Sequence, residues 1–117
     1  MPRVENGKSM RDGLYKVEFK TPLGFGAGVL HLVAGRMWGG DSILYYVGDL
    51  QEEGNRFKAA VRVDRHSHYP GVASVFGMDR VTISLNGTST GDVGTANGVA
   101  KEAPGVSFQV QFKRIAD

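Results

Sequence analysis

The chain has 117 residues, of which 41% are hydrophobic, 22% are charged and four are proline, and this composition excludes fibrous and disordered proteins. The absence of cysteine excludes disulfide bonds and thiolate chemistry. A net charge of +2 with interspersed signs argues against direct nucleic-acid binding, and no apolar run is long enough to span a bilayer. We expect one cytoplasmic domain with neither a nucleic-acid nor a membrane partner.

The first eleven residues show no hydrophobic periodicity. We therefore predict a flexible N-terminal arm over 1–11 and a single domain over 12–117. Within that domain, most of the seventeen glycines separate short runs in which apolar and polar residues alternate. Such alternation is typical of half-buried strands joined by tight turns.

The alternating runs follow one another along the chain without a helical period of useful length. A longer connection over 66–79, which contains Pro70-Gly71 and several apolar residues, interrupts the series. An antiparallel meander of this kind leaves no free edge when it closes. We predict an all-β fold, an eight-stranded antiparallel up-and-down barrel, with a β-sandwich as the alternative. The runs span 15–20, 23–33, 37–38, 42–50, 56–64, 81–85, 92–101 and 106–112.

One face of most runs is apolar and is predicted to fill the barrel. Several of these side chains are bulky, and an eight-stranded barrel has an interior that such side chains largely fill. We therefore expect no large cavity, although the small residues over 94–100 leave room for a narrow pocket. The predicted interior consists of Tyr15, Val17, Phe19, Phe57, Val61, Ile83, Phe108 and Phe112.

Two runs, 23–33 and 42–50, are apolar on both faces. A barrel buries only one face of a strand, so the other must be covered by the 66–79 connection or by another chain. We predict a homodimer, because closed twofold association is the commonest oligomeric state. The candidate dimer or partner surface comprises Phe25, Leu44, Tyr46 and Leu50.

Six segments follow one another along the chain: DGLYKVEFKTPL (12–23), GGDS (39–42), YYVG (45–48), VRVDRH (61–66), SVFGMD (74–79) and APGV (103–106) with Phe108. In this order they resemble the GrlR-like family of small proteins, named for a negative regulator of type III secretion. The resemblance covers nearly all of 12–117 and implies a lipocalin-like eight-stranded barrel that forms homodimers. It also implies that the protein binds and inhibits a transcriptional activator without touching DNA.

Residues with catalytic or ligand-binding potential are sparse. Three glycines over 24–28 lack the remaining glycine and the following helix of a dinucleotide-binding loop. His66 and His68 could hold a metal ion, but no third ligand is apparent beyond Asp64. Ser67 lacks an oxyanion donor and a nucleophile elbow. We predict no catalytic residue, no metal and no cofactor.

Two functions remain open. The chain is either a non-enzymatic interaction protein that inhibits a transcriptional regulator as a homodimer, or a carrier that holds a small hydrophobic ligand in the barrel. The bulky predicted interior favours the first function.

Overall fold

The computed structural model describes residues 10–69 and 80–117, and these residues form eight strands. Each strand pairs antiparallel with its neighbours in sequence, and the last pairs with the first, which closes the barrel. The predicted all-β, eight-stranded antiparallel barrel is therefore confirmed. The strands are β1 (Gly13–Thr21), β2 (Gly24–Val33), β3 (Arg36–Gly40), β4 (Leu44–Glu53), β5 (Arg56–Arg65), β6 (Val81–Thr90), β7 (Val93–Ala100) and β8 (Ala103–Ala116).

The strands are connected mainly by short turns, which fix the register of their neighbours. Between β2 and β3 the two-residue turn has positive φ angles at both Ala34 (52°) and Gly35 (81°). This is the geometry of a type I′ hairpin turn, whose twist matches that of the flanking strands. We call the end of the barrel with this turn the lower end, and the end with the β1–β2 and β3–β4 turns the upper end.

The core lies inside the barrel, where inward and outward positions alternate along each strand. In β5, for example, Phe57, Ala59, Val61 and Val63 are buried, while the residues between them are exposed. Part of the predicted 66–79 connection, residues 70–79, lies outside the described residues. The described part, 66–69, leaves β5 at the upper end.

The lower end includes residues that the sequence analysis assigned to a flexible arm. Met10 is buried, and its backbone N–H donates to Glu52 Oε1 at 3.0 Å. Arg11 forms an ion pair with Asp92, in which Nη2 of the guanidinium donates to both carboxylate oxygens, Oδ1 at 2.9 Å and Oδ2 at 2.8 Å. Met10 and Arg11 therefore contact the barrel, although the prediction placed both in the arm. The rest of the predicted arm, residues 1–9, lies outside the described residues.

Candidate interaction surface and barrel interior

All eight residues predicted to fill the interior are buried and line one apolar cavity inside the barrel. Their rings form two groups of aromatic contacts. Phe112 lies edge-on to Tyr15 and Phe57, with centroids 5.9 and 5.7 Å apart, and Phe19 contacts Tyr46 and Phe108 at 5.9 and 6.0 Å. The eight are Tyr15, Val17, Phe19, Phe57, Val61, Ile83, Phe108 and Phe112.

Several inward-facing rings pack against a glycine directly across the ladder. Phe19 pairs with Gly26, and Phe57 with Gly87. A Cβ atom added to Gly26 would lie 2.7 Å from the Phe19 ring, and one added to Gly87 would lie 2.6 Å from the Phe57 ring. These glycines are needed because the ring across the ladder occupies the space of a side chain. The three glycines over 24–28 accordingly belong to strand β2.

The rings leave a cavity of about 80 Å³ inside the barrel. A cavity of 150 Å³ lined by similar side chains holds one benzene molecule, so the space is smaller than a lipid chain needs. Hydrophobic side chains line it, including Met10, Met37 and Leu50 besides the predicted residues.

The predicted dimer or partner surface is wrong for three of its four residues. Leu44, Tyr46 and Leu50 are buried, with Leu44 only 2% exposed, whereas Phe25 is 83% exposed. The first part of β4, over 44–47, is apolar on both faces and does not determine which face points inward, whereas Asp49 and Gln51 further along share the outer face with Tyr45. Burial alternates so that Tyr45 is exposed and Val47 is half-buried on the outer face.

The Tyr46 hydroxyl is held inside the barrel by a carboxylate at the upper end. It donates to Asp41 Oδ2, while Asp41 Oδ1 accepts from the backbone N–H groups of Ile43 at 2.9 Å and Leu44 at 2.8 Å. Burial, and then the bond to Asp41, raises the pKa of Tyr46 well above its usual range. Asp41 thus organises the β3–β4 turn and keeps Tyr46 protonated.

His66 links the end of β5 to the same turn. Its Nε2 atom lies 2.8 Å from the Asp41 carbonyl oxygen, which only accepts, so Nε2 carries the proton. Its Nδ1 atom then accepts from the Ser67 hydroxyl at 2.7 Å. The histidine therefore anchors the loop. Among residues 10–69 and 80–117, no group of three histidine or acidic side chains could hold a metal ion.

The outer face of β2–β4 carries large apolar side chains in adjacent cross-strand positions. The register places Val29 beside Gly40 and Gly40 beside Tyr45, while Trp38 lies beside Val47. Trp38 is 46% exposed, and its ring centroid is 5.5 Å from that of His31 on β2. We call Val29, His31, Trp38, Tyr45 and Val47 the outer patch.

Charged residues border the outer patch on the neighbouring strands. Lys16 on β1 pairs with Val29, whereas Arg62 and Asp64 on β5 pair with Val47 and Tyr45. The backbone N–H of Arg65, and then the Arg80 guanidinium 3.0 Å away, lower the pKa of Asp64, which keeps it charged. An apolar centre with a charged border is the usual composition of a protein–protein interface.

Sequence reasoning missed most of the outer patch. The two-sided pattern of 23–33 and 42–50 indicated that an apolar surface exists, but Trp38 stood alone in a short run. Only the cross-strand register brings it beside Val47. Met10 was missed as well, because a single methionine in a polar segment carries no periodic signal.

Among known proteins, no protein-family model matches the chain, and no curated protein matches it.

In the part of the chain that the structure describes, no helix is long and apolar enough to cross a membrane.

Proposed function

We propose that the chain is a non-enzymatic interaction protein that acts in the cytoplasm as a homodimer and binds and inhibits a transcriptional regulator. The resemblance to the GrlR-like family suggests the class of partner and a negative role in type III secretion. The observation that carries the interaction role is the outer patch, since contiguous exposed apolar surface is unusual on a monomer.

Strand β3 is short, so residues 24–28 of β2 have no ladder partner on the β3 side. Where the described ladders are complete, association must use a face or a turn, and the outer patch offers a face with an aromatic centre. Tryptophan is enriched among the residues that dominate binding energy at interfaces. Trp38 on β3 is therefore the expected anchor.

The arrangement of the outer patch suits a second copy of the chain. A twofold axis along β3 would set Val29 on β2 against Tyr45 of the partner subunit, and His31 against Val47 of the partner subunit. Apolar side chains on both flanks of β3 make such a contact self-complementary. At the lower end, the neighbouring and oppositely charged Arg36 and Asp49 would border it.

The alternative function, a carrier of a hydrophobic ligand, is restricted by the interior. A cavity of about 80 Å³ is far below the roughly 300 Å³ that drug-sized ligands occupy. Lipid-sized cargo would require the barrel to expand.

Affinity capture from the native host tests the proposed function. The wild-type chain and a Trp38→Lys variant are each immobilised, and bound proteins are identified. A transcriptional regulator should be recovered on the wild type and strongly reduced on the variant, because Trp38→Lys separates the homodimer that binds the regulator. Val93→Lys is the control, because Val93 is an exposed apolar residue on β7, outside the patch. Recovery of no regulator on the wild type, or equal recovery on Trp38→Lys, would contradict the proposal.

A further inference from the structure

Strand β2 extends beyond its short neighbour β3 at the upper end of the barrel. The β2–β3 ladder begins at Val29, which pairs with Gly40. After Gly40 the chain turns into β4, and the Asp41 N–H donates to the Leu44 carbonyl at 2.9 Å. Among the residues that the structure describes, those at 24–28 of β2 pair with β1 only. We call this stretch the β2 edge.

The alternation of the ladder shows which backbone groups the β2 edge presents. The two-residue turn makes Val33 and Arg36 a hydrogen-bonded pair, so every second residue counted back from Val33 directs its N–H and C=O toward β3. Phe25 and Ala27 therefore point these groups into the space beyond β3, whereas Gly26 bonds to β1. No described residue donates to or accepts from those groups of Phe25 and Ala27. An extended chain adds to a strand edge through groups of this kind.

The side chains of the β2 edge are small or apolar. Phe25 and Ala27 lie on the outer face, and Phe25 is 83% exposed. Glycine occupies the inward positions 24, 26 and 28, and the Phe19 ring packs against Gly26. An added strand would set its outward side chains beside Phe25 and Ala27 and its inward side chain near the Phe19 ring. Apolar side chains suit both faces of such a strand.

The charges around the β2 edge favour an uncharged ligand. Lys20 and Glu18 on β1 pair with Phe25 and Ala27 and have opposite signs, so neither sign of ligand is attracted overall. The backbone groups of the edge need donors and acceptors that alternate at the spacing of a strand. An extended polypeptide supplies that series, whereas a lipid chain supplies none.

We propose that the β2 edge is a docking site for an extended, uncharged segment of a partner protein, matched in length to residues 24–28. The segment pairs with β2 along the continuation of β3. Backbone bonds to Phe25 and Ala27 hold it, and its apolar side chains contact Phe25 outside the barrel and Phe19 inside. The site borders the outer patch at Val29 and does not include it.

Amide hydrogen exchange tests whether the edge is open. In the free protein, the N–H groups of Phe25 and Ala27 should exchange at least about tenfold faster than those of Gly26 and Gly28, which bond to β1. Slow exchange at Phe25 and Ala27 would show that the edge is already covered, and would overturn the proposal.

An NMR titration with a synthetic peptide tests docking. The probe is a blocked peptide of alternating valine and threonine, and the control is the same peptide with every backbone N–H methylated. The probe should shift the amide signals of Phe25 and Ala27 and slow their exchange, whereas the methylated peptide should leave them unchanged. No shift with the probe, or equal shifts with both peptides, would contradict docking by strand addition.

Ala27→Pro removes one backbone donor from the β2 edge. The ladder with β1 should persist, because proline is tolerated where the N–H points away from the ladder. The probe should bind this variant about tenfold more weakly. Ala27→Val is the matched control, since it keeps the N–H at the same exposed position, and its affinity should stay within about threefold of the wild type.

Equal probe affinity in wild type and folded Ala27→Pro would show that the probe binds elsewhere, which overturns the assignment. The methylated peptide gives the same decision on the wild-type protein if Ala27→Pro does not fold. None of these readouts depends on the outer patch or on a transcriptional regulator, so the docking site and the proposed function are tested separately.

Discussion

At the scale of single residues, the interior is organised by rings that pack onto glycines. Gly26 faces Phe19, Gly87 faces Phe57 and Gly94 faces Phe112 on adjacent strands. The sequence shows both the glycines and the aromatic residues, and their separation into strands could be predicted. Which ring lies on which glycine depends on the register between distant strands, and no local pattern determines that.

Gly26→Ala should destabilise the barrel by about 1–3 kcal/mol, because the added methyl group would push against the Phe19 ring. The control is Gly105→Ala in β8. No atom lies within 4 Å of a Cβ added there, so the free energy of unfolding of Gly105→Ala should stay within about 1 kcal/mol of the wild-type value. Urea unfolding of the three proteins measures the difference. Equal stability of Gly26→Ala and Gly105→Ala would disprove the packing argument.

Tyr46 links stability to alkaline pH. Its folded pKa is raised above the unfolded value of about 10, so the unfolded state loses the proton first and stability falls as pH rises above about 10. Tyr46→Phe should cost about 1–2 kcal/mol at pH 7 through the lost bond to Asp41. Above pH 10 the difference in stability between the wild type and Tyr46→Phe should become smaller.

Thermal unfolding between pH 7 and 11 gives this comparison. Tyr45→Phe is the control, because Tyr45 lies on the outer face of the same strand. If the difference in stability between wild type and Tyr46→Phe grew as the pH rose, Tyr46 would not be held protonated in the folded state.

At the scale of elements, the alternating runs differ in how clearly they indicate which residues point into the barrel. Strands β1 and β5 have one apolar and one polar face, so their inward residues could be predicted correctly. Strand β4 is apolar on both faces only over 44–47, and its inner face was assigned to the surface. A shift of one residue exchanges the two faces of a strand, and these four positions give no information on that choice. The polar residues Asp49 and Gln51, further along the strand, lie on the outer face and did carry that information.

Leu44→Asp should unfold the barrel, because Leu44 is almost fully buried and a carboxylate there would lose its hydration. The expected loss exceeds about 3 kcal/mol. Tyr45→Asp, one position along β4 on the outer face, should stay folded with a change of about 1 kcal/mol or less. Circular dichroism and urea unfolding distinguish them. A folded Leu44→Asp protein would contradict the assigned inner face.

At the scale of the whole molecule, the barrel closes because each strand pairs with its neighbours in sequence and the last strand pairs with the first. The meander and its closure could be predicted because neighbours in sequence pair in space. The start of the domain could not, since Met10 is placed by contacts with Glu52 on β4 and with the cavity. The outer patch is likewise a property of the closed barrel, because it requires three strands in register.

We propose that two barrels associate through the outer patch. Val29 and Val99 provide a matched pair, since they are 42% and 43% exposed and lie on β2 and β7. Sedimentation velocity should give a dimer for the wild type and for Val99→Lys, and a monomer for Val29→Lys. A monomeric wild type, or a Val29→Lys variant that remains dimeric, would contradict the claim.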